Sequence, residues 1–140
     1  MAAPVVGRTR VVIDGEDDII TARQMAREVA RSLGFGMVDQ SRIATAVSEL
    51  ARNVVRYATG SHGEAIIRTI GGSTRGVGLE VIVADEGPGI ADIEAAMTEG
   101  FTTGSGLGLG LSGAKRLVDE MEIQSALGEG TTVTIRKWRR

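Results

Sequence analysis

Between Gly100 and Gly113 the chain reads Gly-Phe-Thr-Thr-Gly-Ser-Gly-Leu-Gly-Leu-Gly-Leu-Ser-Gly, six glycines in fourteen residues, and an amphipathic helical pattern begins immediately after. No core can be built from such a stretch, because glycine has no side chain to bury and gives up the most backbone freedom on ordering. Glycine at this density serves where the backbone turns at positive φ or comes very close to something else. With a helix starting just beyond, that something is expected to be an anion: the first N–H groups of a helix are unpaired, and the positive end of its dipole faces the same way. A flexible linker is the plain alternative. The regular Leu107, Leu109 and Leu111 argue against it, since a solvated linker has little use for three leucines.

Two familiar phosphate motifs come close and fail. Gly108-Leu-Gly-Leu-Ser-Gly113 satisfies G-x-G-x-x-G, yet it follows Thr-Thr-Gly-Ser-Gly-Leu rather than a buried strand, so the dinucleotide context is missing. A Walker A loop needs Gly-Lys-Ser/Thr, and here Gly113 is followed by Ala114, Lys115 and Arg116.

A length of 140 residues points to one domain, 1–140, large enough for a real core. Aromatics make up only 3% of the chain, so that core must be built from Val, Ile, Leu and Ala. The twenty glycines are about twice the usual share. They gather at 60–63 with 71–78, at 87–89 and at 100–113. The net charge of −2, with both signs interspersed, suggests neither nucleic acid nor an anionic membrane. The basic Arg136, Lys137, Arg139 and Arg140 read as a solvated strand end. With no cysteine and a lone His62 in a glycine-rich turn, thiol chemistry and cysteine- or histidine-rich metal sites are excluded. No run of about twenty apolar residues exists, and Ala2-Ala-Pro-Val-Val6 is too short for a signal-peptide core, so the expected location is the cytoplasm.

Taken in order, Thr9 to Asp14 reads as a strand. Asp17 or Asp18 is positioned to cap a helix with Ile20, Met25, Val29 and Leu33 along one side and Gly34 as its stop. Asp39 caps a second helix through Tyr57, whose Ile43, Ala46, Val47, Leu50 and Val54 keep a 3.6-residue period. Glu64 to Ile70 and Val77 to Ala84 form a hairpin across a glycine-rich loop. Asp85-Glu-Gly-Pro-Gly89 ends the second of these sharply. A short helix over 90–99 and then the glycine stretch precede a helix from Leu111 to Met121. Strands at 123–126 and 131–138 flank the turn Leu127-Gly-Glu-Gly130. This order lacks the strict alternation of a doubly wound sheet. It predicts an α/β two-layer sandwich: one mixed, mostly antiparallel sheet with helices on one face, and a wet outer face marked by Thr131-Thr-Val-Thr-Ile135.

Three constellations bear chemistry. On the second helix, Glu49 and Asn53 stand one above the other at i, i+4, at the margin of the buried face. A solvated helix edge would explain them, but Asn is a poor residue for a helix interior. A carboxylate and an amide oxygen are the hard ligands magnesium accepts while keeping several waters. At a strand end, Asp85-x-Gly87-x-Gly89 offers a carboxylate that accepts from an exocyclic amine such as that of adenine. It would face the carbonyl of guanine acceptor to acceptor. An ordinary Asx turn is the plain reading of that motif alone. The third is the glycine stretch, read as a phosphate lid followed by a helix N-terminus.

Helix E-x-x-x-N, then D-x-G-x-G, then a G-x-G-x-G lid resembles the N, G1 and G2 boxes of the Bergerat-fold ATPases: gyrase, Hsp90, the mismatch-repair MutL proteins and histidine kinases. Within that superfamily the chain is similar to the small anti-sigma-factor kinases, and among them to the RsbT-like serine-protein kinases of the bacterial stressosome. The likeness runs through Ala22-Arg-Gln, Leu33-Gly-Phe-Gly36, Val38-Asp-Gln40, Ser48-Glu-Leu-Ala-Arg-Asn53, Glu86-Gly-Pro-Gly-Ile90, Gly113-Ala-Lys-Arg-Leu117 and Lys137-Trp138.

The resemblance implies ATP and Mg2+ as cofactors. It implies that Asn53 ligates the magnesium and that Glu49 is general base on the attacking hydroxyl, or orients it. Asp85 would bind the adenine amino group, with Gly87 and Gly89 shaping that pocket. Gly106, Gly108 and Gly110 would line the triphosphate, and Thr131 would stand on the adenine side. Tyr57 departs from the pattern, standing where several members carry a basic or imidazole side chain.

The activity implied is transfer of the γ-phosphoryl group to a serine or threonine of a STAS-domain protein. A PP2C-type phosphatase is the implied later partner. An ATP-gated, anti-sigma-factor-like binding module is the alternative. A histidine-kinase catalytic domain would bring a dimerisation helix and a phospho-acceptor histidine, and gyrase- or Hsp90-like ATPases a second domain. None of these is read in the 140 residues.

Overall fold

In the computed structural model, residues 7–57, 62–73, 76–90 and 110–140 are described. Strand β1 covers Arg8–Ile13, helix α1 Glu16–Ser32, helix α2 Met37–Tyr57, strand β2 Gly63–Ser73 and strand β3 Gly76–Asp85. Helix α3 (Leu111–Leu117), strand β4 (Glu120–Ser125) and strand β5 (Thr131–Trp138) complete the order. The expected short helix over 90–99, and the lid as far as Leu109, lie outside the described residues beyond Ile90.

The strands form one five-stranded sheet in the order β1-β2-β3-β5-β4, and every pairing between neighbours is antiparallel. Because side chains alternate along a strand, the register sorts residues onto two faces. Val11 and Ile13, Ala65 and Ile67, Leu79, Val81 and Val83, and Val133 and Ile135 all point to the helical layer and are buried. They meet Ile19, Ala22, Ala26 and Val29 of α1, Ile43, Val47, Leu50 and Val54 of α2, and Leu111 and Ala114 of α3 in one core. The outer face carries charge instead. Arg10 pairs with Glu64, and Glu80 takes both Arg68 and Arg136, the latter also reaching Glu120 and Glu122. The two-layer sandwich with helices on one face is the architecture expected from the sequence; among the described residues its sheet is wholly antiparallel rather than mixed.

Local chemistry sets the element boundaries. At α1 the cap is Gly15, and Asp18 reaches back from the first turn to accept from the N–H groups of Asp14 (2.7 Å) and Gly15 (3.0 Å). The capping carboxylate is therefore in place, one turn inside the helix rather than at its cap. Gly34 ends the helix at φ +88°, with the N–H of Phe35 returning to the carbonyl of Ala30 at 3.0 Å. Helix α2 starts at Met37, two residues before Asp39, with the N–H of Gln40 donating to the carbonyl of Gly36.

Helix α3 is shorter than its apolar pattern suggests. Val118 is extended (φ −125°, ψ 168°), and the N–H of Asp119 already donates to Arg136 of β5. Met121, expected on the helix, lies in β4 opposite Ile135. Over so short a run, the inward residues Met121 and Ile123 of a strand continue the spacing of Leu117 and Val118 on a helix. Periodicity alone does not separate the two. No described helix is long and apolar enough to cross a membrane.

Candidate functional site

At one end of the sheet, Ile13, Gly63, Asp85, Thr131 and Ser125 lie in a single row across all five strands on the helical side. Helix α2 comes down onto this row because Gly63 has no side chain. A Cβ there would meet Val54 Cγ1 at 2.3 Å. Between helix and row is an open cavity of about 50 Å3, lined by Leu50, Asn53, Val54, Val83, Asp85, Pro88, Gly89, Ile90, Leu111, Thr131 and Val133. Its walls are mostly aliphatic, with three polar side chains converging: Asn53, Asp85 and Thr131. Small-molecule sites commonly have this make-up.

Asp85 is the most distinctive of the three. Its carboxylate accepts from the N–H of Gly87 at 2.8 Å and from the N–H of Thr131. Burial pushes its pKa above the ordinary carboxylate value, and the two N–H groups oppose that rise without cancelling it. A half-desolvated acceptor held in place by backbone donors is suited to a directional hydrogen bond with a ligand amine.

The turn after Asp85 is locked by close backbone packing. Gly89 has φ +79°, and a Cβ on it would meet the carbonyl oxygen of Ala126 at 2.1 Å. Gly130, also at φ +79°, would put a Cβ 2.2 Å from the carbonyl oxygen of Asp85. The N–H of Gly128 donates to Pro88 at 2.8 Å, joining the two turns. Ser125 completes the join: its Oγ accepts from the N–H of Ile90 (2.7 Å), lies 3.0 Å from the carbonyl oxygen of Gly130 and 2.8 Å from Thr131 Oγ1. Sequence reasoning did not find Ser125, because a serine at a strand end carries no signal until the turns are seen packed together.

Glu49 does not line the cavity but directly precedes the lining residue Leu50 and lies close to Gly110, which directly precedes the lining residue Leu111. Its Oε1 accepts from Arg52 Nη1 at 2.8 Å, and its Oε2 lies 2.6 Å from where a Cβ on Gly110 would sit. Gly110, at φ +85°, caps α3 and is where the described chain resumes after the lid. Of the three lid glycines, Gly106 and Gly108 lie outside the described residues. Arg52 was the other residue missed. An Arg three residues after a Glu is common on helices and contributes about 0.2–0.5 kcal/mol, too weak a signal to single out.

Asn53, Asp85, Gly89 and Thr131 are thus brought to one cavity, Gly87 supports Asp85 from behind, and Glu49 meets Gly110 alongside. Among the described residues no group of three or more His, Cys, Asp or Glu is arranged to hold a metal ion. A metal here would rest on an isolated oxygen such as that of Asn53, together with the ligand's own oxygens.

Comparison with known proteins gives the same frame. Residues 38–140 match the family model described as histidine kinase-, DNA gyrase B-, and HSP90-like ATPase. The chain is 52% identical over 126 residues to the serine/threonine-protein kinase RsbT of Bacillus subtilis (strain 168), covering 89% of this chain and 92% of the relative. It is 34% identical over 120 residues to the anti-sigma F factor of Thermoanaerobacter sp. (strain X514), covering 84% and 82%. A crystal structure of RsbU and RsbW domains from Mycobacterium tuberculosis superposes with a TM-score of 0.64 at 20% identity, over 94% of this chain and 32% of that longer one. At that identity the superposition speaks for the fold alone. With the family model spanning most of its length, the chain belongs to the histidine kinase-, DNA gyrase B- and HSP90-like ATPases.

Proposed function

We propose that this protein is a serine/threonine kinase that passes the γ-phosphoryl group of ATP to a hydroxyl of a partner protein. The observation that carries the reading is the convergence of Asn53, Asp85, Gly89 and Thr131 on one cavity with Glu49 beside it. The likeness to RsbT over nearly the whole of both chains supports it.

In this reading Asp85 accepts from the adenine amino group while Val83, Val133 and Ile90 enclose the flat base. Gly87 and Gly89 let the backbone shape the floor, and Thr131 stands at its edge. Gly110, with Gly106 and Gly108 before it in sequence, would line the triphosphate. Asn53 holds Mg2+ through its amide oxygen; when bound, the ion offsets phosphate charge. Glu49 receives the proton of the attacking hydroxyl. The new bond joins that oxygen to the γ-phosphorus, the bond from phosphorus to the β–γ bridging oxygen breaks, and ADP leaves with the electron pair. Phosphoryl transfer asks for positioning and charge neutralisation more than for covalent help, and the residues here supply those.

Resemblance to stressosome switch kinases makes a STAS-domain protein the substrate proposed and a PP2C-type phosphatase the later partner, with the reaction in the cytoplasm. Incubation with radiolabelled Mg-ATP and a co-encoded STAS-domain protein tests this. The wild type is expected to label the partner. Glu49→Ala is expected to lose about 100-fold or more in transfer while still binding nucleotide. A wild type that binds ATP yet labels no partner would overturn the kinase reading. It would favour an ATP-gated binding module, the reading supported by likeness to the anti-sigma F factor.

A further inference from the structure

Glu49 is held from two sides, and among the described residues only one of its oxygens is engaged by a donor. Arg52 Nη1 lies 2.8 Å from Oε1, while Oε2 is turned to the backbone of Gly110. The geometry of α2 produces this. Side chains lean toward the N-terminus of a helix, so Arg52 and Asn53, three and four residues on, fold back on either side of Glu49. Asn53 faces the cavity. Arg52 takes the opposite flank.

The pair sits half open to solvent, with side-chain exposures of 34% for Arg52 and 33% for Glu49. An exposed i, i+3 pair of this kind adds little to helix stability. Its effect on geometry is larger, because a glutamate otherwise distributes over three side-chain torsions.

We propose that Arg52 is a positioning residue for the phosphoryl transfer. By occupying Oε1 it fixes the rotamer of Glu49 and leaves Oε2, at Gly110, as the oxygen that meets the acceptor hydroxyl. The proposal rests on the role given to Glu49 in the kinase reading. It also accounts for Gly110 independently of its φ, since any side chain there would press on the oxygen left open. The contact is a single N–H···O bond, not a bidentate fork, so an ammonium on a flexible stem is a workable substitute.

The test measures steady-state transfer to the protein substrate, nucleotide affinity and thermal stability for the wild type, Arg52→Gln, Arg52→Lys, Glu49→Gln and Glu49→Gln/Arg52→Gln. Arg52→Gln is expected to lower kcat by about 10- to 100-fold, with KM for ATP and melting temperature little changed. Arg52→Lys should recover most of the loss. The double variant should be no slower than Glu49→Gln alone, because Arg52 acts through Glu49. Three results would overturn the assignment: an Arg52→Gln enzyme as fast as the wild type, a loss that falls on nucleotide affinity instead, or a double variant slower than Glu49→Gln. A wild type that transfers no phosphate would be a different failure, removing the kinase reading itself and this assignment with it.

Discussion

Asp85 shows how one side chain links burial to pH dependence and, in the proposed reading, to nucleotide choice. Its carboxyl holds a proton more tightly than an unfolded aspartate does, because burial outweighs the donors from Gly87 and Thr131. The sign for stability follows. Below the ordinary carboxylate value the group is protonated in both states and costs nothing. As pH rises through the interval up to the raised value, the unfolded chain ionises first, and the ligand-free protein loses stability.

In the proposed reading nucleotide binding runs the other way, since the ionised carboxylate is what would accept from an adenine amine. ATP affinity is expected to fall as pH drops through the raised value. Asp85→Asn should remove that limb and weaken the preference for ATP over GTP. Calorimetric titrations between about pH 4 and 8 check both, and a pH-independent affinity in the wild type would count against the adenine assignment. The glycines of the two turns offer a sharper contrast. Gly128 and Gly130 share φ +79°, yet a Cβ on Gly128 meets nothing within 4 Å and one on Gly130 meets the Asp85 carbonyl oxygen at 2.2 Å. Gly128→Ala should cost only the left-handed strain, about 1–2 kcal/mol. Gly130→Ala should cost on the order of 3 kcal/mol or more and loosen Asp85 as well, as denaturant titration would show.

Among the elements, α2 decides most, because it contributes to both the core and the site. Its inward stripe of Ile43, Val47, Leu50 and Val54 is buried, and Glu49 and Asn53 lie at the edge of that stripe. Both were readable from the spacing of apolar residues. Helix α3 was read four residues too long because β4 begins in phase with it.

The far end of α2 is tied down by a feature the sequence disguised. Lys137, read as part of a solvated basic tail, is only 7% exposed. Its Nζ stands 3.6 Å from Asp39 of α2 and 3.6 Å from Asp119 before β4. Asp119 also receives Arg140 and the N–H of Trp138. Lys137→Ala is expected to destabilise the fold by about 1–3 kcal/mol, less than for a fully isolated pair, because both carboxylates keep other donors. Equilibrium unfolding would measure it, and a Lys137→Ala protein as stable as the wild type would show the tie to be idle.

Across the whole molecule, the sheet separates two kinds of cohesion. The helical side is held by aliphatic burial, the outer side by a ladder in which Glu80, 3% exposed, joins Arg68 on β2 to Arg136 on β5. Glu80→Gln should weaken three strands at once, by about 1–3 kcal/mol in urea titrations. The loss should persist in high salt, since the carboxylate is buried and poorly screened.

What the sequence determined by itself is the set of pieces: the apolar stripe of α2, the hairpin, the alternation of β5, and the three boxes with their order. Those depend on near neighbours along the chain, where period and turn chemistry act directly. What only the tertiary structure decided is which pieces meet. Gly63 admits Val54, Ser125 bolts the 127–130 turn to Ile90, Arg52 takes one oxygen of Glu49, and Lys137 turns inward. Most of these contacts join residues far apart in sequence, and nothing local at either partner marks it. Their geometry exists only once hydrophobic burial has brought helix and sheet together.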